Sequence, residues 1–170
     1  KISDLKKNDY VLDIASNDGT LLNFYPKNVV KVGCDPILKK FNKLYKNIKI
    51  KIPDFFSYEK VINKINSSNK FKIITAIAVF YDLNNPNKFL TDVSKLLKNN
   101  GVFILEMADL YKIIKNNMFD TICHEHLEYY SCEVVINMAK WEAANAYAKQ
   151  RKIRFRVVSE EQLFHNGKRK

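Results

Sequence analysis

The sequence predicts an α/β fold, in which a doubly wound and mostly parallel sheet carries helices on both faces. Through residues 1–116, short runs rich in Ile and Val alternate with segments that carry apolar residues at three- and four-residue spacing. Continuous apolar runs are typical of strands buried on both faces, as the strands of a parallel sheet are. Right-handed crossovers then place the helices above and below the sheet.

Five strands and four helices are predicted in alternation. The strands cover residues 10–14, 29–34, 48–52, 72–79 and 102–107, and the helices cover residues 20–24, 37–45, 58–65 and 87–97. The sequence Asn99-Asn100-Gly101 is predicted to close the last helix and turn into the next strand. Ligands of such sheets bind beyond the carboxyl ends of the strands. Acidic residues stand at several of these ends: Asp13, Asp35, Asp54, Glu106 and Asp109.

Composition favours one globular domain. With 170 residues, of which 46% are hydrophobic, the chain can bury roughly 70% of its unfolded surface. It has no apolar run near the roughly 20 residues of a membrane span and no signal peptide, so we expect a cytoplasmic protein without a membrane partner. Three cysteines without C-x-x-C spacing argue against a disulfide framework or a structural zinc site. The first residue is Lys1 rather than Met, which indicates a fragment.

The character of the sequence changes near residue 136. The net charge is +11, and residues 136–170 carry nine basic side chains against three acidic ones, including all four arginines of the chain. We therefore expect two units, a cofactor-binding domain over 1–135 and a basic tail of separate origin over 136–170. Within the tail the pattern predicts a helix over 137–151, a strand over 152–158 and a short helix opening at 159–162. The alternative is that the tail supplies an ordinary sixth helix and strand to the sheet.

The sequence V-L-D-I-A-S-N-D-G-T, residues 11–20, has the pattern of a nucleoside-cofactor cradle. An apolar strand enters a tight turn, a helix follows, and the next strand ends on Asp35, 22 residues after Asp13, where ribose hydroxyls would need an acceptor. A dinucleotide fold requires G-x-G-x-x-G, whereas this turn is A-x-x-x-G beside two acids, Asp13 and Asp18. Acids repel phosphate but suit a sulfonium and an amino group. The pattern therefore favours S-adenosylmethionine over NAD.

A second motif, H-E-H, contains two of the three histidines of the chain. In an extended segment His124 and His126 would point to one side and Glu125 to the other. A metal site with Cys123 or Cys132 is conceivable, although the spacing fixes no third ligand. Hydrogen-bonded structural histidines are the other possibility that the residues alone leave open.

Several motifs together resemble the sugar C-methyltransferases of deoxysugar and surface-polysaccharide synthesis, which are class I S-adenosylmethionine enzymes. The similarity covers residues 1–135 and rests on V-L-D-I-A-S-N-D-G-T-L-L, V-G-C-D-P, P-D-F-F-S and above all D-T-I-C-H-E-H-L-E-Y-Y-S. It implies a Rossmann-like methyltransferase domain. That domain would be partial, since the family also has a Cys-rich zinc-binding domain before this region and a further domain after it.

The resemblance also implies roles in cofactor binding. Asp13 would meet the methionine amino group directly or through water, and Asp35 would accept both ribose hydroxyls. Asp54 and Phe55 would meet the adenine. The open alternatives are a turn residue for Asp13, a helix N-cap for Asp35 and a core position for Phe55.

The turn itself, with Ala15, Asn17 and Gly19, would cradle the cofactor. The family usually has glycine where Ala15 stands, and alanine tolerates fewer backbone conformations.

For catalysis, the resemblance makes His126 the general base, because an imidazole titrates near neutral pH. It would take a proton from the carbon next to the 4-keto group of a nucleotide-linked sugar, without a metal. Glu125 and His124 would orient or polarise, and Tyr129 and Tyr130 would line the sugar pocket or pack. The expected partner is thus a small-molecule substrate.

The tail has a resemblance of its own. The sequence K-W-E-A-A-N-A-Y-A-K-Q-R-K-I-R-F-R-V-V-S-E-E-Q-L-F is similar to the C-terminal end of phage head-completion nucleases. This implies a fusion or chimera, with nucleic acid as a partner through the tail alone. A nucleic-acid-associated phage protein and an inactive cofactor-binding fragment are therefore the alternative functions.

Overall fold

In a computed structural model, the described part of the chain forms a parallel sheet of six strands in the order β3-β2-β1-β4-β5-β6. The structure describes residues 4–45, 47–66, 68–118, 120, 122, 124 and 126–130, and the backbone of 154–157. The strands are β1 (Tyr10–Ile14), β2 (Val30–Cys34), β3 (Ile50–Ile52), β4 (Phe71–Ile77), β5 (Leu97–Glu106) and β6 (Arg154–Val157). The order reverses direction at β1, next to β4, which is the topological switch point where such sheets bind ligands.

Four helices alternate with the strands as predicted. They are α1 (Thr20–Phe24), α2 (Leu38–Phe41), which continues as a 3₁₀ helix at Asn42–Tyr45, α3 (Tyr58–Ile62) and α4 (Pro86–Leu96). The described residues add a helix α5 (Leu110–Lys115) and a 3₁₀ helix at Phe80–Asp82, which were not predicted. Side-chain caps start three of them. The Ser57 hydroxyl accepts from the backbone N–H of Lys60, Asn85 caps α4 directly before Pro86, and Asp109 caps α5.

Both faces of the sheet are buried under apolar side chains. Alternation along β1 sends Leu12 and Ile14 into one core cluster and Val11 into the other. The first cluster contains the apolar face of α4, and the second contains Leu22 of α1. These two layers confirm the predicted α/β fold class with a doubly wound parallel sheet.

One predicted turn is wrong. The sequence Asn99-Asn100-Gly101 does not separate α4 from a later strand, since α4 ends at Leu96 and β5 begins directly at Leu97. Leu97 pairs with Phe71, but Val102 pairs with Ile73, so the predicted turn residues form a bulge within β5. A Cβ on Gly101 would lie 2.9 Å from the Phe71 carbonyl oxygen. The buried Leu97–Phe71 pairing therefore outweighs the local turn preference.

Residues of the predicted tail complete the sheet. The strand predicted over 152–158 is confirmed as β6, which pairs in parallel with β5 from Val102↔Arg154 to Leu105↔Val157. This pairing favours the alternative in which the tail supplies a sixth strand. The helices predicted over 137–151 and from 159 lie outside the described residues, and the domain boundary at residue 135 stays a prediction. Within the described part of the chain, no helix is long and apolar enough to cross a membrane.

Candidate active site

A cleft of about 580 Å³ opens at the carboxyl edge of the sheet. The ends of β1 and β2 form its floor, and the segments that follow β3 and β4 form its walls. A cleft of this volume suits a small molecule such as a nucleoside cofactor. It is lined by Ile14, Ala15, Cys34, Asp35, Pro36, Ile37, Lys39, Lys40, Asp54, Phe55, Phe56, Val79, Leu83 and Phe89.

The turn after β1 has a left-handed backbone at three positions. The φ angles are 56° at Ala15, 46° at Asn17 and 77° at Gly19. Backbone hydrogen bonds hold the turn, because the N–H of Ala15 donates to the Cys34 carbonyl at 2.9 Å and the N–H of Gly19 donates to the Ser16 carbonyl at 2.7 Å. Glycine and asparagine tolerate this conformation, whereas alanine is strained in it. The glycine that the resemblance leads us to expect at position 15 would adopt this conformation without strain.

Replacing Ala15 with glycine should therefore stabilise the protein. Release of the left-handed strain outweighs the added entropy of the unfolded chain, for a net gain of roughly 0.5–1 kcal/mol. Urea denaturation would measure it. The control is Ala76→Gly, since Ala76 is fully buried within β4, where glycine should destabilise. A loss of stability in Ala15→Gly would contradict the strain.

Asp35, at the end of β2, faces the cleft with a carboxylate that is already oriented. Its Oδ2 accepts from the backbone N–H of Asn17 at 3.0 Å, and its Oδ1 accepts from the backbone N–H of Ile37 at 2.8 Å. The second bond is the local turn contact that the capping alternative anticipates. A carboxylate has about four acceptor positions, so two stay available for a ribose diol. The capping and ribose-binding roles are therefore compatible.

Asp35→Ala should weaken the binding of S-adenosylmethionine at least tenfold, because two charge-assisted hydrogen bonds of roughly 1.5–3 kcal/mol each are lost. Isothermal titration calorimetry would measure the Kd. Asp18→Ala is the matched control, since Asp18 is an exposed acid of the same turn that bonds only locally, to the N–H of Thr20 at 2.9 Å. An unchanged Kd in a folded Asp35→Ala variant would refute the ribose assignment.

The segment after β3 presents an acid and an aromatic ring. Asp54 pairs with Lys60 at 2.8 Å, and this ammonium together with the N–H of Phe55 keeps the pKa of the Asp54 carboxyl below its usual value. Phe55 is 74% exposed, so the alternative that it belongs to the core is wrong. The next ring, Phe56, is half-buried and contacts Phe89 edge to face, with 5.2 Å between centroids. The cleft therefore offers an exposed aromatic face next to a carboxylate.

Asp13 is not among the residues that line the cleft. Its side chain is 4% exposed and lies on the face of the sheet that carries Val11, where its Oδ1 accepts from the Thr75 hydroxyl at 2.5 Å. Burial raises the pKa of the Asp13 carboxyl to about 7, and the negative charge of Asp35 adds to the rise. Asn17 and Gly19 also do not line the cleft; both belong to the left-handed turn after β1.

The described part of the H-E-H element lies against the loop that follows β4. The His126 ring packs on Tyr81 with 4.0 Å between centroids, and the N–H groups of Leu127 and Glu128 donate to the Tyr81 carbonyl at 3.0 and 3.2 Å. Tyr81 belongs to the same loop as Val79 and Leu83, which line the cleft.

The imidazole of His126 also contacts Tyr129, with 5.3 Å between centroids. Its Nδ1 is buried and has no hydrogen-bond partner among the described residues. His124 is exposed. Glu125 lies outside the described residues, as do Cys123 and Cys132.

Sequence reasoning missed several residues of this site. The cleft wall includes Val79, Leu83 and Phe89, whose apolar side chains look like ordinary core residues in a sequence. Tyr81 could have been predicted as a site residue, because it follows the predicted strand 72–79 by two residues and ligands bind beyond the carboxyl ends of such strands. Across the part of the chain that the structure describes, no three His, Cys, Asp or Glu side chains cluster as metal ligands would.

A parallel sheet with this strand order, a cleft at the carboxyl ends of its strands and acids at the ends of β1 and β2 match the fold of the class I methyltransferases. The chain belongs to the methyltransferase-domain family, whose model matches residues 1–153 and so extends past residue 135 into the predicted tail. The cofactor of this class is S-adenosylmethionine. The cleft fits it, because Asp35 retains acceptors for the ribose and Phe55 offers a face for the adenine.

Known proteins agree with this placement. The chain is 29% identical to the C-methyltransferase NovU of Streptomyces niveus over 128 residues, which are 75% of this chain and 30% of NovU. Among solved structures, a proposed methyltransferase from Bacillus halodurans has a TM-score of 0.62 at 20% identity, over 86% of this chain and 64% of that one. The CurJ carbon methyltransferase has a TM-score of 0.56 at 12% identity, over 85% and 42%. These structures share the fold, and the chain spans less than two thirds of each.

Proposed function

We propose that this domain methylates a carbon atom of a nucleotide-linked keto-deoxysugar, with His126 as the general base. The placement of His126 carries the proposal most directly. Its ring is held by Tyr81 in the loop that lines the cleft, and its buried Nδ1 has no partner among the described residues. The similarity to NovU, a C-methyltransferase, supports transfer to carbon.

The adenosine half of the cofactor is assigned to the cleft between β2 and β3. The Asp35 carboxylate takes the ribose hydroxyls while it stays bound to the N–H groups of Asn17 and Ile37. The exposed ring of Phe55 packs on the adenine, and Asp54 accepts from the adenine amino group. The negative charges of Asp35 and Asp54 in this cleft would repel a cofactor that carries phosphate groups.

The methionine half is assigned to the turn after β1. The backbone of this turn is left-handed at Ala15, Asn17 and Gly19, and Ala15 lines the cleft. Asp13 is buried below this point, so its contact with the methionine amino group runs through a bridging water.

His126 takes a proton from the substrate carbon next to the keto group, and the electron pair of the broken C–H bond passes into the enolate. When bound, S-adenosylmethionine would supply the electrophilic methyl group for this carbon, with its methyl C–S bond breaking as the C–C bond forms and the electron pair left on the sulfur of S-adenosylhomocysteine. In this proposal His124, which is exposed, and Glu125 polarise or orient the substrate. The imidazolium of His126 then returns its proton to solvent.

A panel of nucleotide-linked 4-keto-deoxyhexoses, incubated with S-adenosylmethionine in D₂O, tests the proposal. Mass spectrometry should detect deuterium at the carbon next to the ketone and a methylated product. If the protein binds S-adenosylhomocysteine but methylates none of the sugars, it is a cofactor-binding domain without the proposed activity. Methylation on oxygen or nitrogen would overturn transfer to carbon.

A further inference from the structure

Tyr45 is a fully buried tyrosine that lies directly beneath the turn of the cofactor cradle. It ends the 3₁₀ helix Asn42–Tyr45, and none of its surface is exposed. Its ring occupies the space that two glycines leave. A Cβ on Gly33 would lie 2.8 Å from the ring and a Cβ on Gly19 would lie 3.2 Å from it. The ring therefore packs under both the turn and β2.

The Tyr45 hydroxyl binds the turn itself. It donates to the backbone carbonyl of Asn17 and lies 3.0 Å from the Ser16 Oγ. A phenol has one proton, so the Ser16 hydroxyl must donate the hydrogen of the second contact. Burial raises the pKa of Tyr45 to about 12, which keeps this donor protonated across the physiological range.

The backbone of Asn17 is thereby held on both sides of its Cα. Its carbonyl accepts from Tyr45, and its N–H donates to the Asp35 Oδ2 at 3.0 Å. The φ of Asn17, 46°, lies in the left-handed region, which asparagine tolerates, and these two hydrogen bonds hold its backbone in that conformation. The buried Tyr45 hydroxyl is thus connected through Asn17 to the Asp35 carboxylate, which lines the cleft.

We propose that Tyr45 is a positioning residue for the cofactor: its hydroxyl fixes Asn17, and Asn17 in turn fixes the Asp35 carboxylate for the ribose. Tyr45 does not line the cleft, so its effect on the ligand is indirect. The inference rests on the ribose-binding role of Asp35 proposed above.

Tyr45→Phe tests this role, because the variant keeps the ring that fills the space beneath the two glycines and removes only the hydroxyl. The Kd for S-adenosylhomocysteine, measured by calorimetry, should rise about tenfold, since a buried acceptor loses its partner. The matched control is Tyr10→Phe. The Tyr10 hydroxyl accepts from the Asn69 side chain at 3.1 Å at the opposite end of β1, so its loss should leave this Kd unchanged.

A double-mutant cycle separates positioning from a loss of packing. If Tyr45 acts through Asp35, then Tyr45→Phe should weaken binding much less in an Asp35→Asn background than in the wild type. An unchanged Kd in folded Tyr45→Phe would overturn the proposal, and so would an equal tenfold loss in both backgrounds. Should Tyr45→Phe fail to fold, 4-fluorophenylalanine at position 45 takes its place, because its fluorine fills the space of the hydroxyl but cannot donate to the Asn17 carbonyl, and an unchanged Kd in that variant also overturns the proposal. Wild-type protein that binds no S-adenosylhomocysteine would instead overturn the cofactor site.

Discussion

His126→Ala is expected to lower the rate of carbon methylation by roughly 10²- to 10⁴-fold, which is the usual effect of removing a positioned general base. Deuterium exchange at the carbon next to the ketone should fall in parallel, because both reactions require the same proton abstraction. The Kd for S-adenosylmethionine should not change, since His126 is not among the residues that line the cofactor cleft. Exchange and methylation are both measured by mass spectrometry.

His124→Ala is the matched control for this experiment. His124 is the other histidine of the same motif. It is exposed, and its loss should reduce the rate of methylation less than the loss of His126 does. His126→Gln adds a second comparison, because glutamine fills similar space against Tyr81 without acting as a base. Equal deuterium exchange in the wild type and in His126→Ala would exclude His126 as the base.

Asp13→Asn should remove a large pH dependence of stability. Burial raises the pKa of Asp13 from 3.8 to about 7, so the folded state binds this proton more tightly than the unfolded state. The resulting stabilisation is complete below pH 3.8 and is lost as the pH rises through about 7. At 1.36 kcal/mol for each pKa unit, the loss approaches roughly 4 kcal/mol by pH 8. Relative to the wild type, Asp13→Asn should therefore gain stability as the pH rises from 4 to 8.

Urea denaturation at several pH values measures this difference, and Asp9→Asn is a control of opposite sign. Burial disfavours the Asp9 carboxylate, but Lys98 at 2.6 Å and the N–H of Lys6 hold its pKa below the usual value. Its contribution is present above its unfolded pKa and is lost as the pH falls. A stability difference between wild type and Asp13→Asn that does not change with pH would show that Asp13 stays ionised.

Asp13 also shows how much of the site could be predicted from the sequence. The periodicity of the first 35 residues predicted β1 and α1 with the bounds that the structure has, and it placed Asp13 and Asp35 at strand ends. It could not say which face of the sheet the cleft would occupy. Asp13 alternates onto the face of Val11, whereas Asp35 follows the end of its strand and turns into the cleft. Strand position is local information, but the side on which a ligand binds depends on the packing of every crossover.

Contacts between segments far apart in the chain could not be predicted from the sequence either. Tyr45 and Asn17 meet only because α1, β2 and α2 fold back across the turn, and no spacing rule connects them. The misplaced turn at Asn99-Asn100-Gly101 has the same origin, since the pairing partner of Leu97 lies 26 residues earlier at Phe71. Phe55 shows the opposite case, because the resemblance assigned this aromatic residue to the cofactor and its ring is exposed in the cleft.

The pairing of β6 with β5 has a consequence for biosynthesis. β5 ends at Glu106 and β6 begins at Arg154, so a nascent chain completes β5 long before its outer neighbour leaves the ribosome. During that interval the backbone of Val102–Leu105 is an open hydrophobic edge, of the kind that recruits strands from other chains. Pairing at this sequence distance is also slow. We therefore expect the newly made protein to depend on chaperones at this edge, and rapid overproduction to yield aggregates that form before the sheet is closed.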